Sequence, residues 1–358
     1  MSSSCLRATA RRLLLCLPAW LAVHGSAWAG AGELTTVVTP LAPSVTYSSL
    51  ASTSPARPAL DTFVGYLVRI GSAGGNTINN VRFVGATTVT DAQERALFAS
   101  IEGAAGCQTG ADQTSISCDF GQLRSGESAP PFVVFFKAPV KDTVSPIPDG
   151  QAGACTSTDC VTFSGTTFYA EGTGGLENST PQNSTVTWSS SVTLGTFNPA
   201  LVKSAVQKSG GKLFTGSGGL SVGDDRFATT VVVPAGAVAT TAEIAEVSEP
   251  VCSVLNSCFT SVITIPGIFS PYLTITLRLD VAAIPKGTKI ESVTVQYEGA
   301  DVGLCASPTS PRSDGLPCIA ARRAYPTNSK QGTMFPSELE NDFEWTLINT
   351  RNGSYKIF

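Results

Sequence analysis

The sequence predicts an all-β protein of two antiparallel immunoglobulin-like β-sandwich domains with local disulfides. Three observations carry this. Apolar and polar residues alternate with a period of two in short runs, roughly one every ten residues, as half-buried strands do. Gly, Pro, Asn and Asp separate the runs, Gly alone supplying 34 of the 358 residues. Charged residues make up only 14% against 42% hydrophobic, a balance that suits short strands rather than long solvated helices. The helical crossovers that a parallel sheet requires are missing, which excludes a parallel α/β fold.

Residues 1–29 read as a secretory signal peptide. Arg7, Arg11 and Arg12 precede the apolar run Leu13–Val23, and Ala27-Trp28-Ala29 gives a small-x-small cleavage site between Ala29 and Gly30. The run is too short to span a bilayer and contains Pro18. Cys16 follows Leu15 rather than a small residue, which argues against lipidation. Removal takes three arginines and no acid, turning the formal net charge from −4 to −7. No basic run survives to attract nucleic acid or an anionic membrane. No later stretch is apolar enough for a transmembrane helix.

The first domain is expected over residues 30–197. "LTTVVTP" starts it as an edge strand. In "FVGYLVRI", Val64, Tyr66, Val68 and Ile70 share a face, and "VRFVGATTV" follows a Gly-rich turn. "TDAQERALFAS" predicts the one helix, with Thr90 and Gln93 as a capping box. "APPFVVFFKAPV" predicts a buried strand bounded by prolines. "VTFSGTTFYAEG" and "STVTWSSSVTLGTF" predict two more strands. In the second, Val186, Trp188, Val192 and Leu194 oppose Thr187, Ser189, Ser191 and Thr193.

Residues 198–219 read as a linker, and a second sandwich is expected over 220–358. Its strands are "RFATTVVVPAGA", "TSVITI", "LTITLRLDV", "SVTVQYEG", "DFEWTLINT" and "SYKIF". The third shows strict alternation, with Leu273, Ile275, Leu277, Leu279 and Val281 on one face.

Eight cysteines follow the leader: Cys107, Cys118, Cys155, Cys160, Cys252, Cys258, Cys305 and Cys318. An even count in an exported chain points to disulfides. Many pairings are possible; the nearest-neighbour set joins 107 to 118, 155 to 160, 252 to 258 and 305 to 318. A loop of about a dozen residues closed this way is worth about 3 kcal/mol in the chain-entropy view. Zinc is the alternative, disfavoured because the single histidine, His24, lies in the leader.

Gly106-Cys107, Cys118, Gly121, Leu123, Gly126 and Phe132 to Phe136 occur in the order found in a repeat of bacterial surface proteins. Residues 59–140 resemble this repeat, known as domain of unknown function 11. The remainder is not assigned. The resemblance implies an immunoglobulin-like fold and a non-catalytic stalk, adhesive or envelope role.

The candidate chemistry is thin. With no histidine beyond the leader, the commonest general base is missing. Lys203, Lys208, Lys212 and Lys330 lie near serines but in hydrophilic segments, so they read as solvated lysines rather than Ser-Lys bases. Glu338, Glu340, Asp342 and Glu344 could pair for glycoside hydrolysis, yet they read as a charged loop entering a strand. "GDDRF" and "SELEND" lack the spacing of a calcium loop. Trp188 and Trp345 fall on apolar faces and read as core rather than sugar platforms. No catalytic residue, metal or cofactor is expected. The expected function is an exported, non-enzymatic structural or adhesive protein of the bacterial envelope or surface, in periplasm, cell surface or medium. The partners open to it are other envelope or surface proteins or glycans. A secreted carbohydrate-binding or carbohydrate-active sandwich and a surface-fibre subunit using edge-strand pairing are the alternatives.

Overall fold

Alternation at period two forces one face of each strand inward, and two such sheets must close on each other to bury those faces. The computed structural model describes residues 34–48, 61–73, 77–90, 94–140, 159–171, 183–195, 201–215, 227–237, 240–249, 254–255, 258–280, 283–325 and 342–358. The leader and its cleavage site at Ala29 and Gly30 lie outside these residues, as do Cys155, Cys252, Glu338, Glu340 and Lys330.

The first sandwich contains β1 (Leu34–Pro40), β2 (Ser44–Thr46), β3 (Phe63–Ser72), β4 (Ile78–Val89), β5 (Leu97–Glu102), β6 (Cys107–Thr109), β7 (Ser115–Leu123), β8 (Phe132–Lys137), β9 (Cys160–Glu171) and β10 (Asn183–Gly195). They form a four-stranded sheet, β1-β3-β8-β5, and a six-stranded sheet, β2-β10-β9-β4-β7-β6. The second sandwich contains β11 (Leu201–Val206), β12 (Gly211–Phe214), β13 (Phe227–Val233), β14 (Thr240–Glu249), β15 (Cys258–Thr264), β16 (Leu273–Leu279), β17 (Val295–Tyr297), β18 (Ala300–Asp301), β19 (Cys318–Ala324), β20 (Phe343–Asn349) and β21 (Gly353–Ile357). Its sheets run β11-β14-β15-β21-β17-β18 and β12-β13-β16-β20-β19. Neighbours are antiparallel throughout, except β2 beside β10. The fold is all-β, as expected, with no α-helix among the described residues.

Each core follows the alternation. Val64, Tyr66, Val68 and Ile70 are buried from β3, against Phe83, Phe132, Phe136 and Phe163. Leu273, Ile275, Leu277 and Leu279 are fully buried from β16, against Val231, Trp345 and Leu347.

β8 is buried without interruption from Phe132 to Phe136. A continuous apolar strand needs cover on both faces. Phe132, Val134 and Phe136 enter the first core. Val133 and Phe135 face the other way, where Ala205 of β11 packs with Leu41, Phe63 and Leu67. The second sandwich therefore covers part of the outer face of the four-stranded sheet, while Val37 at its β1 edge stays 53% exposed.

Polar contacts seal the edge of β11. The Thr46 hydroxyl accepts from the Lys203 N–H at 2.7 Å and donates to its carbonyl at 2.9 Å. The Phe63 N–H donates to Ser204 Oγ at 2.9 Å. Ser100 Oγ donates to Gln207 Oε1 at 3.0 Å, and the Lys208 N–H to the Glu102 carboxylate.

Two expectations are corrected. Within residues 198–219, expected as a linker, the described part holds β11 and β12, edge strands of different sheets, joined by a tight turn at Gln207–Gly210. The lysines and serines disguised an inward set of Val202, Ser204 and Val206. The helix expected over 91–100 is absent over its described part, where β5 begins at Leu97. An open edge of β8 offers Leu97–Glu102 a full ladder, with a bulge between Phe98 and Ser100. A helix of barely two turns has little intrinsic stability to set against that. Cys118 sits within β7, whose ladder to β4 continues through a bulge at Gly121.

The joint should open in Ala205→Arg, which pushes a cation into the seam at Phe135. Each sealed apolar side chain there is worth about 1.5–3 kcal/mol. Small-angle scattering should report a larger radius of gyration, while near-ultraviolet circular dichroism of Trp188 and Trp345 stays native. Unchanged scattering would show that this seam does not hold the two sandwiches together.

Candidate functional site

The disulfides act at edges. Cys107 and Cys118 face each other across β6 and β7 and are bonded, fastening a three-residue edge strand. Asp112 shapes the turn between these strands by accepting from the Thr114 hydroxyl at 2.7 Å and the Thr114 N–H at 3.1 Å. Those hydrogen bonds, with others from Ser115, hold its carboxyl below the usual carboxylate range. Cys305 is bonded to Cys318 at the start of β19. Cys160 and Cys258 are also disulfide-bonded. Such a set forms and persists in an oxidising environment, outside the reducing cytosol. Among the described residues no helix is long and apolar enough to cross a membrane.

The structure scatters the residues weighed for catalysis. Lys203 pairs with Glu243 at 3.2 Å. Asp342 is buried 3.9 Å from Arg278 Nε, whereas Glu344 points outward and accepts from the Tyr325 hydroxyl at 3.2 Å. Trp188 and Trp345 are both in the cores. Among the described residues no group of three or more His, Cys, Asp or Glu could hold a metal ion.

What the fold does assemble is a face. The first sandwich has two outer surfaces, and the second sandwich packs on the apolar part of one. The other is the outside of the six-stranded sheet. There Thr187, Ser189 and Ser191 of β10 stand directly opposite Thr166, Ser164 and Thr162 of β9. Thr162 and Ser191 share a hydroxyl hydrogen bond of 2.8 Å. The rows end at Phe168, which is 40% exposed. Phe168 lies between Thr185 of β10 and Arg82 of β4, and Arg82 is in turn opposite Asp119 of β7. Arg82 Nε donates to Ser117 Oγ at 3.0 Å. Beyond Phe168, Gln122 Nε2 donates to Asn79 Oδ1 at 2.7 Å.

Half of this face could be read from the sequence, in the outward Thr and Ser of β10. The other half was missed, although Thr162, Ser164, Thr166 and Phe168 alternate in "VTFSGTTFYAEG". The signal was there, but only pairing in register turns two polar half-strands into one lattice.

No known protein family matches the chain, and no curated protein does. Among solved structures it is similar to the sporulation control protein Spo0M from Bacillus subtilis, at 9% identity, over 66% of this chain and 80% of that one, with a TM-score of 0.17. A likeness of that size carries no argument about fold or function.

Proposed function

We propose that the protein is an exported, non-enzymatic structural or adhesive component of the bacterial envelope or surface, working in the periplasm, on the cell or just outside it. The observation that carries this reading is the joint. Two sandwiches are locked together by a sealed apolar seam and by hydrogen bonds at the edge of β11, with disulfides pinning edge segments in each. Such a body holds its surfaces in fixed orientation under load, as a stalk or adhesive module must.

The test is cell fractionation followed by mass spectrometry of the unreduced protein. The expected product is an exported chain beginning at Gly30, with four intramolecular bridges that include 155–160 and 252–258. A cytosolic chain that keeps its first 29 residues, or free thiols at these positions, would remove the reading.

A further inference from the structure

We propose that the outer face of the six-stranded sheet binds a neutral polysaccharide, with Phe168 as the platform on which a sugar ring stacks. This rests on the adhesive reading and names its ligand class.

Access comes first. The second sandwich meets part of the four-stranded sheet and the β2 edge of the six-stranded one, so the interdomain joint leaves the outward rows of β9 and β10 open. Charge selects the partner. The paired rows of Thr187, Ser189 and Ser191 with Thr166, Ser164 and Thr162 contain no ionisable group. At the rim, Arg82 and Asp119 are opposite each other and offset one another. An anionic lipid, a nucleic acid or an acidic peptide finds no net counter-charge here. A greasy partner would strand the hydroxyls without hydrogen bonds. A neutral array of hydroxyls is complemented by another surface of the same kind, which is what a neutral glycan presents.

Geometry then places the sugar. A pyranose has an apolar C–H face and a rim of hydroxyls. The exposed ring of Phe168 suits the first, and the flanking side chains suit the second. Arg82 is beside it in register, and Asn79 is opposite Ala170, two residues further along β9. Along a strand, outward side chains recur about every 6.7 Å, and neighbouring strands lie about 4.8 Å apart. That spacing is comparable to the rise per sugar of an extended glycan, so a chain crossing from β10 to β9 meets a hydroxyl on each, before Val84 and Ala86 of β4. The face is also ordered beforehand. β9 and β10 pair from Cys160–Thr193 to Ala170–Asn183, and β-branched threonines have few rotamers to lose on binding.

The experiment is depletion of the purified mature protein by insoluble microcrystalline cellulose and by chitin, over a concentration series at low and high salt. Retention on at least one polymer is expected, unweakened by salt because no ion pair is involved. Phe168→Ala should lower affinity by at least about 10-fold, the loss typical of a truncated aromatic anchor. Ser164→Lys, at an outward position, should do the same while the melting temperature stays that of the parent. The proposal is overturned by no retention on either polymer, by equal retention of parent and both variants, or by retention that high salt abolishes. It is also overturned if sedimentation velocity shows self-association that both variants abolish, which would assign the face to contact between copies. Each of these results leaves export and the bridge map untouched, so the face can fail without the envelope reading failing. A cytosolic, leader-bearing chain would remove the envelope reading whatever the polymers show.

Discussion

Gly165→Val destroys the native packing of the first sandwich, and with it the near-ultraviolet signal of Trp188. The reason lies in three strands at one point. Gly165 of β9 is the register partner of Gly85 on β4 and of Trp188 on β10. The indole lies over this pair of glycines and is held from the core side by Phe83, stacked at 4.6 Å and 4°, and Phe163 at 4.8 Å. A Cβ added at Gly165 would run into the Val84 carbonyl, come within 2.7 Å of Gly85 Cα and within 2.9 Å of Trp188 Cζ2. Two of those three are backbone, which cannot turn aside. Ordinary overpacking costs about 1–3 kcal/mol because side chains give way. Here the sheet itself must part, and the expected loss exceeds about 3 kcal/mol.

Gly211→Ala is the control. Its added Cβ meets nothing closer than Val206 Cγ1 at 3.8 Å, and its φ is not positive. That change should be neutral or stabilising by about 0.4–1 kcal/mol. Denaturant titrations followed by Trp188 and Trp345 would separate the two outcomes. If Gly165→Val unfolds at the parent's midpoint, the indole does not rest on the paired glycines.

The glycines also mark the limit of what the sequence discloses. Strand positions and inward faces are legible wherever a side chain must choose between core and water. Val64, Tyr66, Val68 and Ile70, or Leu273 to Leu279, allow only one orientation. "APPFVVFFKAPV" likewise announces burial on both faces, but it cannot say that β11 supplies the second cover. Gly85 and Gly165 read as weak points in strands until Trp188 is seen to need their flatness. β5 and β11 were misread for the same physical reason. Their local composition is ambiguous, and an unpaired neighbouring strand decides it through contacts far away in sequence. The candidate face needed the β9–β10 register, which no single strand encodes.

Raising the pH past about 10, the ordinary tyrosine range, should unfold the first sandwich before the second. Tyr47, Tyr66 and Tyr355 are fully buried. Burial is the main cause that pushes each phenol well above its usual range. For Tyr47 a second cause is the Asp159 carboxylate, to which its hydroxyl donates at 2.6 Å, with the negative charge of Glu94 adding to it. Tyr66 donates to the Val161 carbonyl at 2.8 Å, and Tyr355 accepts from Asn349 Nδ2 at 2.6 Å. The folded state holds these protons more tightly than the unfolded chain. Stability from each tyrosine is therefore complete below pH 10 and is lost as pH climbs from there towards the folded values. The slope is about 1.4 kcal/mol per pH unit for each. Tyr47 and Tyr66 belong to the first sandwich, Tyr355 and Tyr325 to the second; burial raises Tyr325 too, but by less, so the first sandwich goes on losing stability on both its tyrosines after Tyr325 has titrated. Melting curves resolved by Trp188 and Trp345 between pH 8 and 11.5 would show it. Tyr66→Phe should flatten the alkaline limb of the first transition and leave the second unchanged. Tyrosinate absorbance appearing in the native protein near pH 10, with both tryptophan signals intact, would mean that these phenols are not sealed from water, and the packing assigned to both cores would fall with them.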